Sequence, residues 1–175
     1  MTDKAWHGYT QRYETHLGAL KNEPVTLVEI GVDSGASMDM WAAYFKSSEA
    51  CFYGYEIDEA KTYTHKDKRV HIIHDNGCAP KTTAENVDIV IDDGSHVSTD
   101  IVSALKYWWP RLKSGGWYVV EDLQVQWRRD YGGSPHLGSK AVDGLVKFAT
   151  ELMRDEAPPI SEFHVYGEIV FMRKS

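Results

Sequence analysis

Val25-Thr-Leu-Val-Glu-Ile-Gly-Val-Asp-Ser-Gly35 is the stretch on which the fold turns. A β-branched, apolar run from Val25 to Ile30 stops at Gly31, the mark of a strand end. Met38, Trp41, Ala42 and Phe45 then recur at helical spacing. Strand, glycine turn and helix in that order open a parallel α/β sheet. The alternation continues outward. Cys51 to Ile57 reads as a second strand and Val70 to His74 as a third. Val87 to Ile91 reads as a fourth, short and apolar, as a strand buried on both faces should be. Val97, Ile101, Leu105, Trp108 and Leu112 mark a helix that Pro110 helps to end. Gly115-Gly116 reads as a turn and Trp117 to Val120 as a fifth strand. Val142, Leu145, Val146, Ala149, Leu152 and Met153 lie on one face of a later helix. Beyond Pro158-Pro159, two short strands near 162–166 and 169–173 pivot on Gly167. Ahead of the first strand, Trp6, Tyr9, Tyr13, Leu17 and Leu20 predict an extra helix. The expectation is one domain over 1–175: a helical cap segment, 1–24, then a core, 25–175. That core should be a seven-stranded, mostly parallel sheet with an antiparallel hairpin at its edge.

Composition narrows the function classes. A chain of 175 residues with 42% hydrophobic side chains can build a real core. The net charge of −7 argues against nucleic acid as partner, because phosphates call for a basic face. No apolar run reaches the roughly 20 residues that span a bilayer, so no membrane partner is expected. The start, Met1-Thr-Asp-Lys-Ala-Trp6, lacks the apolar core of a secretory signal. Cys51 and Cys78 form no CxxC pair, which argues against a disulfide framework or a thiolate zinc site. A cytoplasmic location follows as the expectation.

Ligands of such sheets bind beyond the carboxyl ends of the strands. Acidic or glycine-rich turns follow all five of the predicted parallel strands, and this clustering predicts an active site. The loop Gly31-Val-Asp-Ser-Gly35 is not GxGxxG, and Asp33 inside it would oppose a pyrophosphate. That weighs against a nicotinamide oxidoreductase, whereas a cationic, zwitterionic cofactor tolerates the charge. Glu29 could accept a hydrogen bond from such a cofactor's ammonium. Glu56 ends the second strand, placed to receive the ribose hydroxyls of an adenosine.

Asp92-Asp93-Gly-Ser-His96 carries the sharpest signal. Adjacent carboxylates at the end of a buried strand repel, and a cation would resolve the repulsion. Glu121-Asp122 repeats the pattern one strand later, and neighbouring strands would bring these acids together. Hard oxygen donors without thiolate suit Mg2+ or Mn2+. His96, near a helix N-terminus and such a cation, is favoured as a neutral ring able to accept a proton. The long turn from Gln124 to Leu137, with Trp127, Arg128, Arg129 and Tyr131, reads equally as a substrate wall or a partner surface.

Val28-Glu-Ile-Gly-Val-Asp-Ser-Gly35, Tyr53-Gly-Tyr-Glu-Ile-Asp58, Ile91-Asp-Asp-Gly-Ser-His96 and Val120-Glu-Asp-Leu123 together resemble the metal-dependent sugar O-methyltransferases of antibiotic biosynthesis, among them the macrolide deoxysugar enzymes. Thr2-Asp-Lys4 with His7, Tyr9 and Tyr13 is similar to the segment that precedes the fold in that family. The resemblance covers nearly all of 1–125. It implies a Rossmann-like class I methyltransferase fold and S-adenosyl-L-methionine as cofactor. It also implies a small-molecule hydroxyl acceptor such as a sugar or glycoside. In that likeness Glu29, Gly31 and Gly35 would hold the methionine end, with Ser37 near its carboxylate. Glu56 would bind the ribose, Asp75 would face the adenine amino group, and Asp92 would lie on the cofactor side of the acidic pair. Asp93, Glu121 and Asp122 would hold magnesium, and His96 would be the base. The macrolide enzymes carry an additional N-terminal region, and here about 24 residues precede the first strand. The pocket is then either more open or closed by a neighbouring subunit in a homo-oligomer. Alternatives are a relative of the cephalosporin hydroxylase group with different chemistry, and a non-catalytic S-adenosylmethionine-binding protein.

Overall fold

The central strand of the computed structural model is β1, Thr26–Ile30, whose last four residues are buried. The structure describes residues 2–81, 83–131, 140–152 and 160–175. The predicted Met153, Pro158-Pro159 and residues 132–137 of the long turn lie outside them. β1 is flanked by β2, Cys51–Glu56, and β4, Val87–Asp92, both parallel to it. With β3 (Val70–His74), β5 (Leu112–Val120), β6 (Ile160–Val165) and β7 (Val170–Lys174), the sheet order is β3-β2-β1-β4-β5-β7-β6. β7 runs antiparallel to both β5 and β6, so the expected edge hairpin forms around Gly167. The strand order reverses between β1 and β4, which is where a ligand crevice opens in such sheets.

Two apolar layers cover the sheet. On one face α3 (Ser98–Trp108) and α4 (Lys140–Leu152) bring Trp108, Leu105 and Leu145 onto Tyr55, Val90 and Tyr118. Trp108 is fully buried, and its indole N–H donates to the Gly77 carbonyl at 2.8 Å, so the large ring leaves no orphan donor. On the other face α1 (Tyr9–Leu17) and α2 (Ala36–Tyr44) pack Tyr13, Leu17, Met38 and Trp41 against Leu27, Phe52 and Phe171. The spacing of Tyr9, Tyr13 and Leu17 puts three buried side chains on one stripe, which is why this short N-terminal helix docks.

Two expectations need correction. Gly115-Gly116 is no free turn. Both residues lie inside β5, where a register shift against β4 between Val87 and Ile89 takes up the irregularity and Gly115 adopts φ +77°. Among the described residues no helix joins β2 to β3 or β3 to β4. These crossovers are loops, and one of them, after β2, returns across the mouth of the glycine turn. No helix among the described residues is long and apolar enough to cross a membrane.

Candidate active site

A cavity of about 630 Å3 opens at the carboxyl ends of the central strands. That is a size suited to a nucleoside-bearing cofactor with part of an acceptor. Its walls are the glycine turn, Glu56, Asn76 to Cys78, Asp93 to His96, Asp122, and Thr2 and Asp3 from the N-terminal segment.

One half is built from backbone. Gly31 has φ +86°, and a Cβ there would run into the Asp93 carbonyl, so the turns after β1 and β4 cross at a point only glycine fits. Glu56 closes this half. Its carboxylate accepts the backbone N–H of Asp33 at 2.9 Å, of Val32 at 3.2 Å and of Asp58 at 2.9 Å. Burial pushes its pKa up, but these three donors outweigh that and hold it below the usual range. An ionised carboxylate has about four acceptor positions, so one remains for a ligand hydroxyl. Lys61 crosses from the loop after β2 to pair with Asp33, and Tyr63 lies over Gly35, its hydroxyl on Asp39 at 2.8 Å.

The other half is built from charge. Asp93, His96 and Asp122 each bring one ligand atom, and these atoms all lie within 4.8 Å of one another. His96 and Asp122 have φ of +54° and +56°, left-handed backbone that Asp and His adopt more readily than most side chains. His96 Nε2 stands 3.7 Å from Asp122 Oδ2. The Tyr9 hydroxyl donates to Asp122 Oδ1 at 2.8 Å. Burial raises the Asp122 pKa, yet the bonds from Tyr9 and Gln124 bring it below the ordinary value. Asp122 therefore stays anionic and keeps Oδ2 toward His96. The two carboxylates are the donors that suit a hard divalent cation, and the imidazole stands beside them.

Behind this group sits a cation that the sequence reading did not assign. Lys4, 1% exposed, places its Nζ 2.7 Å from Asp93 Oδ2, 2.8 Å from both oxygens of Glu121, and 3.2 Å from Glu29 Oε1. Burial opposes its charge, but Glu121, Glu29 and Asp93 outweigh it and raise the Lys4 pKa well above normal. Burial pushes Glu121 up to about 8 despite Lys4, and Tyr13 donates a further hydrogen bond to it.

Of the sequence-predicted residues, Gly31, Ser37, Glu56, Asp93, His96 and Asp122 line the cavity. The others are placed differently. Glu121 was expected beside Asp93 and Asp122 as a metal ligand, but both its oxygens face Lys4 because its side chain turns inward under α1. Glu29, expected at a cofactor ammonium, is fully buried and faces Lys4 and the Ser37 hydroxyl, 2.7 Å away. Asp75 caps its own loop, accepting the N–H groups of Asn76 and Lys81, and Asn76 to Cys78 form the wall instead. Asp92 diverges from Asp93 toward the core, where burial pushes its pKa to about 7 and the Tyr118 hydroxyl lies 3.4 Å away. Gly35 lies under Tyr63 rather than on the cavity wall. Lys4, Tyr9 and Tyr13 were noticed only as part of a segment. Their partners are 89 to 117 residues away, and no local spacing reports a contact of that range.

The chain is similar to known methyltransferases. Residues 28–123, more than half of the chain, match the methyltransferase domain family. The 8-demethyl-8-alpha-L-rhamnosyl tetracenomycin-C 2'-O-methyltransferase of Streptomyces olivaceus is 32% identical, covering 96% of this chain and 50% of its own length. Demethylmacrocin O-methyltransferase of Streptomyces fradiae is 27% identical over 96% of this chain and 49% of its own. The MycE methyltransferase of the mycinamycin biosynthetic pathway, solved with Mg and SAH, superposes with a TM-score of 0.78 and 26% identity, covering 95% of this chain and 49% of that one. The chain thus spans about half the length of the curated relatives it matches. Because the methyltransferase domain model matches residues 28–123, more than half of the sequence, the chain belongs to the methyltransferase domain family.

Proposed function

We propose that this chain carries out S-adenosylmethionine-dependent, divalent-metal-dependent methyl transfer to a hydroxyl of a sugar or glycoside. The observation that carries the reading is the meeting, in one cavity, of a glycine-and-glutamate half with an Asp93, His96 and Asp122 half. Relatives named as O-methyltransferases of rhamnosyl and macrolide compounds support the acceptor class. S-adenosylmethionine supplies an electrophilic methyl group, and Mg2+ or Mn2+ supplies the Lewis acidity that makes a nearby hydroxyl easier to deprotonate.

The chain's own residues do the rest. Glu56 would accept from a ribose hydroxyl, and the turn from Gly31 to Ser34 would line the nucleoside. Asp93 and Asp122 hold the cation. His96 Nε2 would take the proton as the acceptor O–H bond breaks, and the freed oxygen pair would bond to the methyl carbon as its bond to the sulfonium sulfur breaks, that pair staying on sulfur in the leaving S-adenosylhomocysteine. The cavity walls hold donor and acceptor in line, which is where much of the rate in such transfers arises.

The test is transfer of a labelled methyl group from S-adenosylmethionine to a panel of rhamnosylated and deoxysugar-bearing polyketides, with and without chelator. Turnover that requires Mg2+ or Mn2+ and disappears in Asp93→Ala is the expected result. Full activity in excess chelator would remove the metal from the mechanism. Failure to bind S-adenosylhomocysteine would remove the cofactor.

A further inference from the structure

The Lys4 ammonium occupies a point where acids from three neighbouring strands converge: Glu29 within β1, Asp93 just past β4, and Glu121 just past β5. Its hydrogen bonds go to Asp93 Oδ2 and to both oxygens of Glu121, while Glu29 Oε1 is met only as an ion pair at 3.2 Å. Stability does not account for this arrangement. A buried ion cluster gains less than apolar side chains of similar volume, because desolvation offsets much of the attraction. Nor is Lys4 needed to dock the N-terminal segment, since Tyr9, Tyr13 and Leu17 already bury themselves on the sheet. The cluster does fix orientation. Lys4 holds Asp93 Oδ2, which fixes the rotamer of a carboxylate that also belongs to the group with His96 and Asp122. It also takes both oxygens of Glu121, which keeps that carboxylate from swinging against Asp93.

We propose that Lys4 is a positioning residue that holds Asp93 and Glu121 in the orientation from which Asp93 serves the cation site. The proposal rests on the metal-dependent reading above. It reverses the naive electrostatic expectation, in which removing a positive charge beside a cation site tightens cation binding. Here the loss of Lys4 removes the donor that Asp93 Oδ2 and Glu121 share, and Asp93 leaves its working rotamer.

Mn2+ is the probe, titrated by electron paramagnetic resonance, with thermal unfolding followed in parallel. Lys4→Met should weaken Mn2+ binding at least about tenfold, the usual loss when the outer partner of a metal ligand is removed. Because Lys4→Met leaves unbalanced buried acids and can fail to fold, the charge-balanced pair Lys4→Met/Glu29→Gln is measured against wild type as the reference, with Glu29→Gln alone as a control for the second substitution. The double variant should melt within a few degrees of that reference and still lose about tenfold in Mn2+ affinity. Mn2+ binding equal to or tighter than the reference would overturn the proposal and leave Lys4 as a competing charge. Wild-type protein whose Mn2+ binding survives Asp93→Ala would instead sink the metal reading itself. Binding lost in Asp93→Ala but intact in the Lys4 variants would sink only the role of Lys4.

Discussion

The two halves of the cavity keep their carboxylates in opposite ways. In the cofactor half, Glu56 is satisfied by the backbone N–H groups of Val32, Asp33 and Asp58, all in turns that follow β1 and β2. In the acid half, Asp93, Glu121 and Asp122 are satisfied by Lys4, Tyr9 and Tyr13, side chains from the far end of the sequence. The first arrangement is part of the sheet and holds wherever the turns form. The second depends on the N-terminal segment being docked. The contrast teaches that the cofactor half is a property of the fold, while the acid half is assembled.

If that contrast is right, damage should separate by half. The largest effect belongs to His96→Ala, which should lower kcat by roughly 10²–10⁴-fold, the usual size of a general-base contribution. S-adenosylhomocysteine affinity, measured by calorimetry, should change little, because His96 stands in the acid half. Near-normal turnover in this variant would end its assignment as base.

Gly31 sits at the seam, so Gly31→Ala should spoil both halves together. The new Cβ meets the Asp93 carbonyl, and backbone cannot give way as a side chain can. A destabilisation of about 3 kcal/mol is expected, read as a drop in Tm of roughly 6–12 °C. An unchanged Tm with normal Mn2+ binding would mean that the two turns do not cross as described.

Arg69→Ala probes the scaffold behind the cofactor half alone. The guanidinium donates to the carbonyls of Ala42 at 2.6 Å, Phe45 at 2.8 Å and Ser47 at 2.9 Å, closing the end of α2. Its loss should cost about 1–3 kcal/mol of stability. Mn2+ affinity should stay within twofold, and a larger shift would show that the halves are not independent.

The smallest effect is a pH dependence in the same region. Hydrogen bonds from Arg69 hold the Asp67 carboxyl down at about 2. A depressed carboxyl contributes stability that is present above its unfolded value and lost as pH falls through its folded one. The Tm gap between wild type and Asp67→Asn should therefore be complete at pH 5 and close as pH approaches 2. A gap that is constant over this range would mean that the pair carries no linked proton.

The same contrast explains what was legible in the sequence. Val25 to Gly35 announces strand, turn and helix because period and punctuation are local, and the seven-stranded, mostly parallel sheet follows from such units. Glu56 at a strand end and the pair Asp92-Asp93 are visible for the same reason. What stayed hidden is where each acid points. Asp92 and Asp93 are consecutive and diverge, one to Tyr118 and the other to Lys4. Glu121 and Asp122 diverge likewise, so the expected convergence of all these oxygens on one point is split between an ammonium and the outward group of Asp93, His96 and Asp122. Lys4 is legible only as part of the segment before the fold, because its partners are brought to it only by the docking of that segment. Gly115-Gly116 read as a turn because glycine pairs mark turns and bulges alike.

The measurement that tests this account most directly is a crossed pair of binding titrations. S-adenosylhomocysteine and Mn2+ affinities are determined for wild type, Glu56→Ala and Asp93→Ala. Glu56→Ala should lose roughly tenfold or more in S-adenosylhomocysteine affinity, equivalent to one lost charged hydrogen bond, while keeping its Mn2+ affinity. Asp93→Ala should lose Mn2+ binding and keep S-adenosylhomocysteine within about twofold, because its carboxylate lies in the acid half. If each variant weakens both ligands equally, or neither, the cavity is not a two-part site and the account is contradicted.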